Sequence, residues 1–278
     1  MDWFRRRVTL GVLAFTLAAV PATGQGVDAP PASLTPEQME AFLSKASVSR
    51  VRDAGNGVTG SRRATLSDGR FTHDAHIQVI NEERAKFEGG KTLELNFKDL
   101  ARYNVTGYRL AMALGMDNVP MSVERSYDGK AAAFTWWIDD VQMDEKARMK
   151  QKTAGPDPGR TAMQYQVMRV FDALIQNTDR NQGNMLWTGD WKLWLIDHTR
   201  AFRVDTRLAK PDNLTRCDRA LFERMKGLTT ASLSAAIGKA ITQSEVAALL
   251  TRRDAIVKHF EARIATRGEA AVLFSLLN

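Results

Sequence analysis

One cysteine, Cys217, is all the thiol this 278-residue chain carries. An intramolecular disulfide is therefore excluded, and stability must come from packing. A lone cysteine reads as a small buried apolar residue rather than a nucleophile. Histidine is scarce too, at four residues. His73 and His76 stand three apart on an expected strand, an odd spacing that turns them to opposite faces and makes a poor metal pair. No zinc-type spacing, nucleophile elbow or basic-aromatic stripe is present, so zinc chemistry, serine-type acyl transfer and nucleic-acid binding lack a sequence basis. Charge of one sign is not concentrated either. The formal +7 permits an acidic partner without demanding one. No internal repeat or low-complexity tract interrupts the chain.

Long apolar runs are missing, with one short exception. Arg5-Arg6-Arg7 precede an apolar stretch over residues 8–20, and Ala22-Thr23-Gly24 place small residues at both cleavage positions. The run is too short to span a bilayer comfortably, so residues 1–24 read as a signal peptide and not a retained anchor. Removing them takes a net +2 and leaves +5 on a mature chain expected to be periplasmic or extracellular, without a stable membrane anchor.

What is present is ordinary globular material, 44% hydrophobic and 26% charged. Residues 25–45 read as a Pro/Ala tether followed by a helix. Thr35 caps it, Pro36 suits its first position, and Gln38 completes a capping box. From residue 47 to 80 the pattern is strand-like, with a turn at Ser67-Asp68-Gly69. Leu100, Tyr103, Gly107, Leu110 and Leu114 recur at helical spacing, predicting a helix over residues 97–114. Residues 119–125 and 131–138 form a hairpin around Asp128-Gly129, and a Pro/Gly cluster at 155–159 makes a loop or connection. Beyond residue 160 helices dominate: 163–175, 242–267 (whole or broken) and 269–277. Between them a strand over 191–196 pairs with 185–187. Arg252-Arg253 reads as a solvated helix face, and Trp187, Trp191 and Trp194 as packing for that hairpin.

The densest chemistry lies in Asn177-Thr178-Asp179-Arg180-Asn181-Gln182-Gly183-Asn184, followed by Leu195-Ile196-Asp197. An Asp after a buried helix, an Asn five residues on, and a second Asp closing a short hairpin can serve phosphoryl transfer. One carboxylate accepts a hydroxyl proton, while an amide oxygen and the second carboxylate hold Mg²⁺ or Mn²⁺ on ATP phosphates. Hard cations favour such oxygen ligands. The plain alternative is a loop whose Asp and Asn cap turns.

Residues 171–184, with Ile196-Asp197-His198-Thr199-Arg200-Ala201-Phe202, resemble the phosphatidylinositol 3/4-kinase-like group and the related atypical kinases that include secretory-pathway protein kinases. In that group Asp-Arg precedes the metal-binding Asn, and the later Asp is not followed by Phe-Gly. The strong match covers about thirty residues; the order of elements extends it over 46–278. The resemblance implies an α+β, two-lobed protein-kinase-like fold, with a strand-rich N-lobe over 46–139 and a helical C-lobe over 140–278. It implies Asp179 as catalytic carboxylate and Asn184 and Asp197 as metal ligands, with Arg180 either structural or phosphate-facing. Gly55, Gly57 and Gly60 form a GxGxxG string placed to cover phosphates, though Gly-Asn-Gly also suits a hairpin turn. Trp136-Trp137-Ile138 lies where the lobes would join and adenine would stack.

Two positions depart from an active kinase. Gln78 occupies the expected strand lysine position and Asn104 the expected helix glutamate position, so both charges are missing together. Two neutral amides can hydrogen-bond instead, at the cost of weaker phosphate binding. Arg62, Arg63, Lys86 and Lys91 are the nearby cations able to replace the lysine, each also readable as solvated surface charge. His198 either orients Asp197 or simply packs beside it. The expected function is ATP- and metal-dependent phosphoryl transfer to a hydroxyl acceptor on protein, lipid head group or sugar. The alternatives are a pseudokinase module that binds nucleotide and metal without turnover, and a structural exported protein.

Overall fold

The computed structural model describes residues 34–53, 61–89 and 92–277. The expected signal peptide, the tether, the Gly55/Gly57/Gly60 string and Lys91 lie outside them. Helix α1 (Pro36–Lys45) starts as its sequence directs. Gln38 N donates to Thr35 Oγ1 at 3.3 Å and Thr35 N to Gln38 Oε1 at 2.8 Å, which satisfies otherwise orphaned amides. The helix buries Phe42 and Leu43 against a five-stranded sheet.

That sheet comprises β1 (Ser47–Asp53), β2 (Arg62–Ser67), β3 (Thr72–Gln78), β6 (Ser122–Tyr127) and β7 (Lys130–Trp136) in the order β1-β2-β3-β7-β6, antiparallel throughout. Alternation sends Ala64, Leu66, Ala75, Ile77, Val123 and Phe134 into a core shared with α1. Asp128 and Gly129 take φ of 50° and 73°. Positive φ at both central residues is what a two-residue type I′ turn needs.

Between β3 and β6 the structure differs from the expected helix over 97–114. Strands β4 (Asn81–Gly89) and β5 (Thr92–Leu100) form a separate antiparallel ribbon, and α2 runs only from Arg102 to Ala113. Leu93, Leu95 and Phe97 alternate with Glu94, Asn96 and Lys98, a period of two that belongs to a strand. Within that run Asn96 takes φ 52°. The end of β5 is tied into the molecule by Leu100 N to Thr199 O at 2.9 Å and Ala101 N to Ile80 O at 2.8 Å.

The second half contains β8 (Val141–Asp144), α3 (Glu145–Gln151), α4 (Pro158–Ile175), β9 (Met185–Thr188) and β10 (Leu193–Leu195), then β11 (Cys217–Asp218), α5 (Arg219–Lys226), α6 (Thr230–Ile237), α7 (Gln243–Arg267), α8 (Glu269–Val272) and β12 (Leu273–Phe274). Its core joins Phe171 and Leu174 of α4, Trp187 and Leu193 of the β9–β10 hairpin, Phe260 of α7, and Tyr103 and Leu110 of α2. Cys217 is buried in it. The architecture is thus mixed α/β, sheet-rich first and helical after.

Two further expectations are corrected. The final helix stops at Val272, because Leu273 and Phe274 pair in parallel with Cys217 and Asp218, and Asp218 Oδ2 accepts from Leu276 N and Leu277 N at 2.7 and 3.1 Å. Arg252 is not on a solvated face but fully buried. Its Nε donates to Leu174 O at 2.8 Å and its Nη1 to Arg203 O and Asp205 O at 2.7 Å each. Burial pushes its pKa down to about 10, opposed by Asp205. Arg253 likewise donates to carbonyls, those of Met225, Lys226 and Leu228. Among the described residues no helix is long and apolar enough to cross a membrane.

Candidate functional site

Helix α4 ends at Gln176, which turns into the left-handed region at φ 50° and starts the polar loop. The loop is held by its own side chains. Asn177 Oδ1 accepts from Asp179 N at 3.1 Å, and Asn177 Nδ2 donates to Asp172 Oδ1 at 3.2 Å. Asn184 Nδ2 donates to the Asp179 carbonyl at 3.3 Å, leaving its amide oxygen without a hydrogen bond among the described residues. The β9–β10 hairpin then folds the chain back, so that Ile196 N donates to Asn184 O at 3.1 Å. Asp197 follows at φ 57°, a conformation uncommon outside glycine and enriched at functional sites.

Arg180 is the pin of this arrangement. Nε and Nη2 grip Asp172 at 2.9 and 3.0 Å, Nη1 donates to Asn184 O at 3.0 Å and Ile196 O at 2.6 Å, and Nη2 reaches His198 Nε2 at 3.0 Å. These five bonds use all five of its donors and leave none for a phosphate, so Arg180 is structural. The guanidinium can only donate, so His198 Nε2 accepts and its proton sits on Nδ1. Burial, with the Arg180 charge adding to it, holds His198 well below the usual histidine range, hence neutral. His198 packs against α2, where a Cβ on Gly107 would come within 3.2 Å of its ring.

Gln78 at the end of β3 and Asn104 on α2 meet directly. Asn104 Nδ2 donates to Gln78 Oε1 at 2.7 Å, and Asn104 Oδ1 accepts from His198 N at 2.8 Å. The Asn104 amide is thus used at both ends, bridging β3 to the Asp197 segment. The structure brings Asp179, Asn184, Asp197, Gln78 and Asn104 into one connected network; Gly55, Gly57 and Gly60 are not described. Two surface clefts, of about 400 and 680 Å³, run along α2, and neither is lined by Asp179, Asn184 or Asp197.

Four residues without an assigned role in the sequence complete the site. Asp99, on β5, is buried, and its Oδ1 has no hydrogen-bond partner among the described residues. Burial raises its pKa, reinforced by the charges of Asp197 and Asp179 and opposed by Arg200 and by the Thr199 hydroxyl nearby, whose one proton is given to Asp197 Oδ1 at 3.0 Å. Asp179 is raised by burial as well, with Arg200 opposing and Asp197 reinforcing. Arg200 Nη1 lies 3.7 Å from Asp179 Oδ1 and its Nη2 donates to Glu94 Oε2 at 2.7 Å. Glu94 also pairs with Arg203. The period-two alternation of residues 92–98 was the signal that would have put Glu94 and Asp99 on a strand. Thr199 and Arg200 carry no pattern of their own. His76 faces the same centre: burial lowers its pKa while Asp197 opposes.

Of the cations expected to replace a strand lysine, Arg62 and Arg63 are paired elsewhere. Arg62 approaches Tyr127 Oη and Asp128 at 3.5 and 3.8 Å. Arg63 pairs with Asp74 and lies 4.0 Å over the Trp137 ring. Lys86 is exposed on β4. At the expected lobe junction, Trp136 stacks on His73 at 3.8 Å, and His73 Nε2 is 2.8 Å from Asp139 Oδ2.

Among the described residues no group of three or more His, Cys, Asp or Glu side chains is arranged to hold a metal ion alone. The residues expected to hold one still offer Asn184 Oδ1 and Asp197 Oδ2, since Asp197 Oδ1 accepts from Thr199. One amide and one carboxylate fit Mg²⁺ or Mn²⁺, which keep waters and take substrate phosphates as remaining ligands.

No family model matches the sequence, and no curated protein does. Solved structures match the fold. A hydra Fam20 protein solved with sugar superposes with a TM-score of 0.65 at 13% identity, over 86% of this chain and 92% of that one. A Golgi casein kinase with Mn/ADP bound gives 0.63 at 13%, over 85% and 78%. The Helicobacter pylori proinflammatory kinase CtkA gives 0.50 at 10%, over 80% and 97%. The chain therefore has a kinase-like fold.

Proposed function

We propose that this chain is an exported atypical kinase that transfers the γ-phosphoryl group of ATP to a hydroxyl acceptor, with Mg²⁺ or Mn²⁺ as cofactor. The observation that carries the reading is the Arg180-pinned loop, which gathers the Asp179 carboxylate, the free Asn184 amide oxygen and Asp197 on a kinase-like fold. Asn184 and Asp197 would hold the metal, and bound there it would neutralise phosphate charge. Asp179 orients the acceptor hydroxyl and takes its proton as the new oxygen–phosphorus bond forms. The bond from γ-phosphorus to the β–γ bridging oxygen breaks, and ADP leaves. Its raised pKa suits Asp179 to that task, since a more basic carboxylate is a better proton acceptor. The Mn/ADP in the Golgi casein kinase supports Mn²⁺ with an adenine nucleotide. That kinase's name and the sugar in the hydra Fam20 structure support a protein or sugar hydroxyl as acceptor; a lipid head group has no such support. The Arg5-Arg6-Arg7 leader carries the export assignment.

A second reading, a nucleotide- and metal-binding module without turnover, is favoured by one observation. Gln78 and Asn104 form a neutral pair where a kinase of ordinary type places its lysine and glutamate. Thermal melts with Mn·ATP at 100 times its Kd should raise stability by about 2.7 kcal/mol. Asp197→Ala should abolish that shift. Radiolabelled ATP offered with casein and with glycan acceptors then decides between the readings. Transfer lost in Asp179→Asn supports the kinase, binding without transfer supports the module, and absence of any melt shift refutes both.

A further inference from the structure

The geometry points to Arg200 as the phosphate-binding cation of this site, facing the γ-phosphate of ATP and held in place by Glu94; this rests on the nucleotide reading above. A kinase fold must neutralise the terminal phosphate from the protein side, and Gln78 brings no charge. Arg62 and Arg63 are paired with Asp128 and Asp74, and Lys86 is exposed; Lys91 lies outside the described residues. Arg200 lies beside the site. Its Nη1 is 3.7 Å from Asp179 Oδ1, an ion-pair distance too long for a hydrogen bond. Its Nε is buried without a partner among the described residues. Only Nη2 is committed, to Glu94 Oε2 at 2.7 Å, while the guanidinium lies 4.9 Å over the Phe97 ring.

An arginine fork with unused donors, fixed at one corner beside the proton-accepting carboxylate, is suited to grip a phosphate in two-point fashion. The transferred phosphoryl group must pass beside Asp179, so the fork meets the γ-phosphate and not the α or β. Glu94 is a positioning residue. It sits on β5 between Leu93 and Leu95, and its second partner, Arg203, is itself tied to Asn96 O at 3.0 Å. The β4–β5 ribbon thereby sets where the cation points, a task no residue of the catalytic loop performs here.

Titration calorimetry of the full chain with Mn²⁺ and either a non-hydrolysable ATP analogue or ADP tests the assignment. Arg200→Met should weaken the triphosphate by about 10–150-fold, the equivalent of ~1.5–3 kcal/mol for a charge-assisted bond. ADP affinity should change by less than about threefold. Arg200→Lys keeps charge without the fork and should fall between. Glu94→Gln, with Arg200 present but unheld, should also lower the triphosphate-to-diphosphate preference. If Arg200→Met fails to fold by circular dichroism, Arg200→Lys and Glu94→Gln carry the same comparison. An unchanged preference in these variants, or equal losses for both nucleotides, overturns the phosphate role and leaves a plain structural latch. Wild-type protein that binds neither nucleotide overturns the functional reading itself.

Discussion

Replacing Arg180 with methionine removes a side chain that bonds the carbonyls of Asn184 and Ile196, beside the two groups proposed to hold the metal. The guanidinium and its partner Asp172 are 8% and 12% exposed, so little solvent screening softens the loss. Breaking a buried, hydrogen-bonded pair from one side costs about 3–5 kcal/mol, because the remaining charge is stranded. Asp172 keeps only the Asn177 amide, and the carbonyls of Asn184 and Ile196 lose their donor from Arg180. At about 2–4 °C per kcal/mol for a domain of this size, the melting temperature should fall by roughly 6–20 °C. Differential scanning calorimetry measures it. Asp172→Asn in the Arg180→Met background removes the stranded charge, so the double variant should melt higher than Arg180→Met alone, with a coupling energy of about 2–3 kcal/mol. Mn²⁺ affinity, followed by electron paramagnetic resonance, should fall even in Arg180→Lys, which keeps charge but cannot span Asp172, two carbonyls and His198 together. A melting temperature within about 2 °C of wild type in Arg180→Met, with no recovery in the double variant, would refute the pin.

Two other expectations follow from buried groups. Asp99 has its folded pKa raised by burial, so it costs stability at neutral pH, and the cost vanishes once the carboxyl is protonated in both states, below about pH 4. Asp99→Asn should therefore melt higher than wild type at pH 7.5, with the gap closing as pH falls toward 4; a gap that widens in acid contradicts the assignment. Asn104→Ala leaves Gln78 Oε1 and His198 N without their partner and should cost about 2–3 kcal/mol by urea denaturation. A loss below about 1 kcal/mol would deny those two contacts their role.

Whatever depends on neighbours within a turn or a hairpin could be read from the chain itself. Thr35 and Gln38 specify the start of α1, Asp128-Gly129 the β6–β7 turn, and the run from α4 through Asp179 and Asn184 to Asp197 the order of the site. Each is set by side chains a few residues apart and by backbone preferences that travel with the residue type. The ribbon of β4 and β5 was hidden because its start is charged and its strand signal runs into the helical spacing of α2. Tertiary structure alone decided which charges are buried and what they meet. Arg180 reaches Ile196 and His198, Arg200 reaches Glu94, and Arg252 reaches Leu174, over separations of 16 to 106 residues. An arginine carries no periodicity that announces its partner. Whether it is solvated surface, loop pin or phosphate contact depends on which oxygens the fold leaves beside it after water is removed.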